Sequence, residues 1–346
     1  MKAAILRELN APLLVADIAV PQLQWGQVLV EVHCATICGA QIREITGAKG
    51  PDDHLPHLLG HEGGGIVVDV GQGVTKVKQD DHVVMHWRKG SGIEAPFAVY
   101  DWGEDKVGAG KVATFNELAV VSENRVTKID NDVPYDVASL LGCAATTGLG
   151  VINNEAKLKM GRTIAVAGAG GVGLFVIQGA AMVSASKIIA IDVSPAKLAM
   201  AKLYGATHTF GLLETQSLDG LREMIGPRGV DVFVDCTGAF TIIDIGYSFV
   251  APGGKLILVG QTFHQRHLVI SSMDQHYCGK TMFDSQGGLT DPDVDIPCYI
   301  ELYKQGKLKF DGIVTHRFPL DEVNEAIQTM MRSTNAGRIA LEMGHE

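Results

Sequence analysis

The stretch TIAVAGAGGVGLFVIQ, residues 163–178, runs from a continuous apolar strand into an apolar helix through a turn built mostly of glycine. Gly168, Gly170 and Gly173 stand there in a G-x-G-x-x-G frame, with Gly171 and Val172 inside the same turn. The first glycine permits a tight turn and the second lets backbone approach a pyrophosphate. The third lets helix and strand pack closely, while the helix N-terminus attracts the anion. The next strand, KIIAID, ends in Asp192, nineteen residues after Gly173. A carboxylate at that place takes the ribose hydroxyls and repels a 2′-phosphate. Glycines alone are also an ordinary turn, but strand, turn, helix, strand and acid in sequence predict a dinucleotide site that prefers NAD to NADP.

Outward from this motif the pattern divides. After about Cys143, continuous apolar strands (VDVFVDCTGAF, GGKLILVGQT) alternate with amphipathic helical segments such as SPAKLAMAKLYGA. That alternation means βαβ units and a parallel sheet. From Gln27 to about Val126 the chain instead shows short β-like runs (VLVEVHCA, GGGIVVDVG, DHVVMHW, NELAVVSEN) broken by Gly, Pro and Asp. The tail from about Gln286 returns to a mixture of helix and strand and is expected to pack back on the first half. The expected division is thus 1–145 for a β-rich domain, 146–285 for the nucleotide domain, and 286–346 for a segment completing the first. The segment 88–111, rich in glycine and charge, is expected to be the most mobile loop.

Composition narrows the function. A chain of 346 residues suits two domains. Its 29 basic and 39 acidic residues give a net charge of −10, and no Lys/Arg cluster offers a nucleic-acid footprint. No apolar run reaches the roughly 18 residues of a membrane span, and the start, MKAAILRELN, lacks the apolar core of a signal peptide. A cytoplasmic protein is expected. Its six cysteines (34, 38, 143, 236, 278, 298) show no C-x-x-C spacing, which suits a reducing compartment and argues against a four-cysteine zinc knot.

A lone cysteine such as Cys38, in CGAQIREITG, is most often a small apolar core residue. LLGHEGGGIV, however, sets His61 and Glu62 among glycines, and Cys143 follows in LLGCAATTGLG. Two thiolates and one imidazole make the three-ligand set of an open, catalytic zinc, with Glu62 behind it or as a transient fourth ligand.

With Cys38 before Gly39, GHEGGG, GCAATTG, GAGGVG and Asp192 in this order and spacing, nearly the whole chain resembles the zinc-dependent alcohol dehydrogenases of the medium-chain dehydrogenase/reductase superfamily. The resemblance implies an α/β protein with a GroES-like catalytic domain interrupted by a Rossmann domain, a zinc-polarised alcohol or carbonyl, and hydride transfer to or from NAD. It also implies Thr147 and Val172 beside the nicotinamide, Lys197 at the adenosine ribose, Trp87 and Phe115 as walls of a substrate pocket, and a homodimer or homotetramer. Lys197 is equally an ordinary helix lysine, and either aromatic is equally plain core.

Two departures stand out. Where many relatives carry four closely spaced cysteines for a structural zinc, the segment from His86 to Lys111 has none, so one zinc per chain is expected. Ala40 and Gln41 occupy places where relatives commonly have a hydroxyl that starts a proton relay and a carboxylate that orients the zinc-bound histidine. Three readings stay open: a zinc- and NAD-dependent dehydrogenase of a polar, polyol or sugar-like alcohol, which the intact Cys/His set favours; a zinc-free quinone or enoyl reductase; and a nucleotide-binding sensor without turnover. Arg43, Arg88 and Lys89, at expected pocket or rim positions, would suit an anionic or polyhydroxylated group, although solvated surface is their commoner fate.

Overall fold

The computed structural model describes residues 1–212, 218–262, 264, 267–270, 278–332 and 337–344. The chain forms two compact units, Met1–Thr146 with Asp291–Glu346, and Thr147–Thr290. The expected breaks were after residues 145 and 285; the second falls later because Gly288 packs against Gly150 and its carbonyl accepts from Asn154 Nδ2 at 3.0 Å.

The discontinuous unit is β-rich. Its long strand Gln27–Ile37 buries Val28, Val30 and Val32 completely on one face, the period of two that makes a strand here. Burying each such side chain stabilises by roughly 1.5–3 kcal/mol. This strand is the axis of a seven-stranded sheet, pairing antiparallel with Glu62–Val70 on one side and with Leu118–Ser122 and then Arg338–Glu342 on the other. The return of Arg338–Glu342 to Gln27–Ile37 is the packing expected of the tail. A second, five-stranded sheet contains Lys2–Leu6, Leu14–Asp17 and the hairpin Val99–Trp102/Asp105–Gly108. The segment 88–111, expected as a loop, therefore contains two paired strands. One apolar core, including Leu6, Val32, Val67, Met85 and Ile339, fills the space beside the larger sheet.

The continuous unit is a six-stranded, all-parallel sheet in the order His208–Gly211, Lys187–Asp192, Thr163–Ala167, Val230–Asp235, Val250–Leu258, Thr281–Asp284. Its inner strands are buried on both faces, which is why they read as unbroken apolar runs. The motif strand Thr163–Ala167 lies inside the sheet and delivers its turn to the start of the helix Gly171–Met182. Among the described residues no single helix is long and apolar enough to cross a membrane.

Candidate metal centre and dinucleotide site

Strand register in the β-rich unit brings the candidate ligands together. Ile37 ends the axial strand, and Cys38 follows as N-cap of the helix Gly39–Ile45. Ala35 lies opposite Gly63, so the neighbouring strand begins beside this point with His61 and Glu62 at its start. On the other flank Ile37 lies opposite Ile339, which places Arg338 at the same end of the sheet. Cys143 arrives just after the helix Tyr135–Leu141. Gly142 makes that approach possible, since a Cβ there would stand 2.4 Å from the Met85 carbonyl and 2.9 Å from Glu62 Cα.

The donor atoms of Cys38, His61 and Cys143 all lie within 4.8 Å of one another. Zinc–sulfur bonds of about 2.3 Å and zinc–nitrogen bonds of about 2.0–2.1 Å put tetrahedral donors roughly 3.5–3.8 Å apart, so the set fits zinc with small adjustment. The Cys143 thiol donates to Cys38, and this bond, with the Arg338 and His61 charges, holds the Cys38 thiol well below its usual range against the effect of burial. Cys143 is pushed well above its own range by that neighbouring thiolate and by burial. Burial lowers the His61 pKa, but the hydrogen bond with Cys38 and the charges of Cys38 and Glu62 outweigh it and leave the net shift upward.

Glu62 is fully buried, and burial lifts its pKa although Arg338 pulls the other way. Its Oε2 accepts from the Ala144 N–H at 3.2 Å, and its Oε1 faces Arg338 Nη1 at 3.2 Å off the line of a hydrogen bond. The guanidinium, itself 3% exposed, also donates to the Ile37 carbonyl at 2.8 Å. Glu62 thus stands behind the donors, tied to the Cys143 segment. Arg338 was missed in the sequence; its one signal was a lone cation opening a buried apolar run, RIAL.

Gln41, only 3% exposed, projects from the same helix turn: its Oε1 accepts from the Cys38 N–H at 3.1 Å and its Nε2 abuts His61 Nδ1. Ala40 is half-buried on the first turn and has no hydroxyl to offer. Trp87 keeps part of its surface exposed, with the Arg88 guanidinium 5.8 Å from its ring centroid. Phe115 is wholly buried among the apolar side chains of the β-rich unit. Among the described residues one further donor group converges, Glu44, Asp52 and His57. Its imidazole is already engaged by hydrogen-bonding neighbours: His57 Nδ1 lies 2.8 Å from the Leu58 carbonyl and Nε2 lies 2.9 Å from Asp52 Oδ2.

The glycine turn has the geometry a dinucleotide requires. Gly168 has φ +88°, and a Cβ on Gly173 would stand 1.9 Å from the Gly168 carbonyl, so helix and strand touch backbone to backbone. At Gly170 a Cβ would meet nothing within 4 Å, which leaves open space above the first-turn N–H groups of a helix with no side-chain cap. Asp192 braces this turn, accepting from the Ala169 N–H at 2.8 Å and the Ser194 N–H at 2.9 Å. Val172 is half-buried on the helix beyond, Thr147 is buried in the helix Ala144–Gly150, and Lys197 sits half-buried in the first turn of Pro195–Leu203.

Comparison with known proteins agrees with this geometry. Residues 24–131 match the alcohol dehydrogenase GroES-like domain, and residues 171–305 match the zinc-binding dehydrogenase model. An alcohol dehydrogenase class-2 isozyme from Oryctolagus cuniculus is 31% identical over 98% of this chain and 97% of its own. An S-(hydroxymethyl)glutathione dehydrogenase from Synechocystis sp. is 30% identical over 95% and 96%. The crystal structure of benzyl alcohol dehydrogenase from Acinetobacter calcoaceticus superposes with a TM-score of 0.88 at 27% identity, covering 99% of each chain. The chain belongs to the zinc-dependent medium-chain alcohol dehydrogenases, an oxidoreductase family of the NAD-dependent class.

Proposed function

We propose that this enzyme transfers a hydride between NAD and a small polar alcohol of the polyol or sugar kind, using one catalytic zinc per chain and no structural zinc. The observation that carries the reading is the convergence of Cys38, His61 and Cys143 with the Glu62–Arg338 pair at their back. Those three residues would hold the zinc, and the Gly168–Gly173 turn, Asp192, Lys197, Val172 and Thr147 would hold the dinucleotide. When bound, the metal supplies Lewis acidity toward an alcohol oxygen and the nicotinamide takes the hydride.

The chain's own residues then decide where the substrate's proton goes. Ala40 has no hydroxyl, and Gln41 has no titrating group. Arg43, one turn further along the helix, stays protonated. Glu62 faces Arg338 and accepts the Ala144 N–H, so taking the proton would cost it that ion pair. Water or a neighbouring hydroxyl of the substrate itself is left to carry the proton, and the latter route favours diols and sugar alcohols.

The test combines elemental analysis of purified protein with NAD⁺ reduction against polyols, sugars, amino sugars and simple alcohols. One zinc per chain is expected, with higher kcat/KM for diols than for monohydric alcohols of similar size, and Ala40→Thr should narrow that difference. Cys143→Ala should stay folded while losing tight zinc and turnover, since catalytic zinc needs its three protein ligands. Retained zinc and activity in Cys143→Ala would favour the zinc-free reductase reading. A preference for monohydric alcohols that Ala40→Thr leaves unchanged would remove the substrate-assisted route.

A further inference from the structure

The Gln41 amide joins two of the three metal donors at once. Its oxygen takes the backbone N–H of Cys38, and its nitrogen lies against Nδ1 of His61, in a place almost closed to solvent. With Nδ1 turned to Gln41, Nε2 is the ring nitrogen left for a metal held with the Cys38 and Cys143 sulfurs. A neutral imidazole that gives Nε2 to a metal must carry its proton on Nδ1. Two N–H donors, Cys38 N–H and His61 Nδ1–H, then point at one side chain. An amide has one accepting end and one donating end. Whichever way it is turned, one of those donors faces another donor while the metal is held, and a mismatched buried polar contact weakens the arrangement that requires it. A carboxylate of the same length accepts both.

Charge separates the two cases further. Two thiolates and the Glu62 carboxylate balance Arg338 and a divalent ion, so the neutral amide leaves the filled site without net charge. A carboxylate at position 41 would add one negative charge next to the metal-binding imidazole.

We infer that Gln41 is a positioning residue that sets how tightly this site holds its metal, loosening the grip through an amide where a carboxylate would tighten it. The inference rests on the zinc reading above. It assigns to Gln41 a role that a simple helix cap does not have, because a cap serves only Cys38 N–H and is met equally well by Gln or Glu.

The experiment measures Zn²⁺ affinity by competition with a chromophoric chelator for the unmodified protein, Gln41→Glu and Gln41→Leu, with thermal melts of the metal-free forms and cobalt spectra of the Co²⁺-substituted forms. Gln41→Glu should bind Zn²⁺ about tenfold more tightly or better, in line with the 10–100-fold influence of groups that orient metal-bound histidines. Its cobalt spectrum should shift, and its metal-free melting temperature should match that of the unmodified protein. Gln41→Leu should bind more weakly and melt lower. Equal Zn²⁺ affinity and identical cobalt spectra for Gln41→Glu and the unmodified protein would overturn the inference and leave only the cap. Failure of the unmodified protein to bind Zn²⁺, or equal binding by Cys143→Ala, would instead overturn the underlying zinc reading.

Discussion

At the scale of single residues, Asp192 illustrates how a chemical preference and a structural duty share one side chain. Its carboxylate is 9% exposed and commits hydrogen-bonding capacity to the glycine turn through the N–H groups of Ala169 and Ser194. A 2′-phosphate brought beside it meets like charge in a partly desolvated place, so NAD should bind about tenfold or more tighter than NADP, equivalent to about 1.4 kcal/mol. Asp192→Gly removes both the repulsion and the brace, and is therefore expected to weaken both cofactors while narrowing their ratio. The ratio from paired titrations is the informative quantity, and equal or tighter NADP binding by the unmodified protein would defeat the assignment. Cys38, His61 and Cys143 could be singled out in the sequence only as a set, since one cysteine alone is an ordinary core residue whereas two thiols and an imidazole together match a zinc ligand set, and Asp192 stood out by its place at the end of the strand after the glycine turn. Arg338 was not legible: it reaches the site only through the pairing of Ile339 with Ile37, a contact between distant segments that no local pattern encodes. Gln41 was visible only as a missing carboxylate, and its double contact needed the helix to be seen.

At the scale of elements, the segment after His86 shows why a stretch that reads as a loose loop is held in place. Glu123, 1% exposed, accepts from the N–H groups of Thr75 at 2.6 Å, Lys76 at 2.7 Å and Ile93 at 2.8 Å. Asp293 accepts from the Ser91 N–H at 2.6 Å and the Thr127 hydroxyl at 2.9 Å and pairs with Lys76, while Arg125 joins Glu94 at 2.8 Å. None of this was legible, since glycine and charge look alike whether the charges meet water or one another. Burial alone would raise the Asp293 pKa, but Lys76 and Ser91 outweigh it and hold the carboxyl at about 2; Lys89 and Arg125 hold Glu94 at about 2 as well. Folded values below the unfolded ones mean stability that is present above about pH 4 and is lost as pH falls toward 2. His86 acts in an earlier window: burial pushes it down to about 4, so the unfolded chain takes its proton first and stability falls between about pH 6.5 and 4, by up to about 3 kcal/mol. Melting temperature should therefore decline in two stages on acidification, with amide exchange in residues 88–98 rising in the second. Glu123→Ala, which strands several buried N–H groups, should cost about 3 kcal/mol or more and expose the same residues at neutral pH. Unchanged exchange there in Glu123→Ala would show that other contacts hold the segment.

At the scale of the molecule, the two-unit division was legible because the apolar period changes from two to that of alternating strands and helices near Cys143, and changes back in the tail. The second boundary was less so, because residues 286–290 carry no periodic signal and their place is decided by contact of Gly288 with Gly150. What one chain leaves open is the rim of the parallel sheet. Thr281–Asp284 pairs with Val250–Leu258 along one side, and among the described residues no strand covers its other side. Met282 on this strand is 39% exposed. Unpaired N–H and C=O groups on an edge with apolar side chains invite another strand, and soluble proteins usually cover or charge such an edge. The family resemblance and this edge together favour a homo-oligomer, most simply a dimer joined sheet edge to sheet edge by two copies of Thr281–Asp284. Sedimentation at micromolar concentration is expected to give about twice the 36.9 kDa of the chain. Thr281→Lys combined with Met282→Lys sets like charges against each other across such a junction, so the double variant should sediment as a monomer with an unchanged circular dichroism spectrum. A monomeric unmodified protein would remove the dimer altogether, whereas a lysine variant that stays dimeric would keep the assembly and move its interface to another surface.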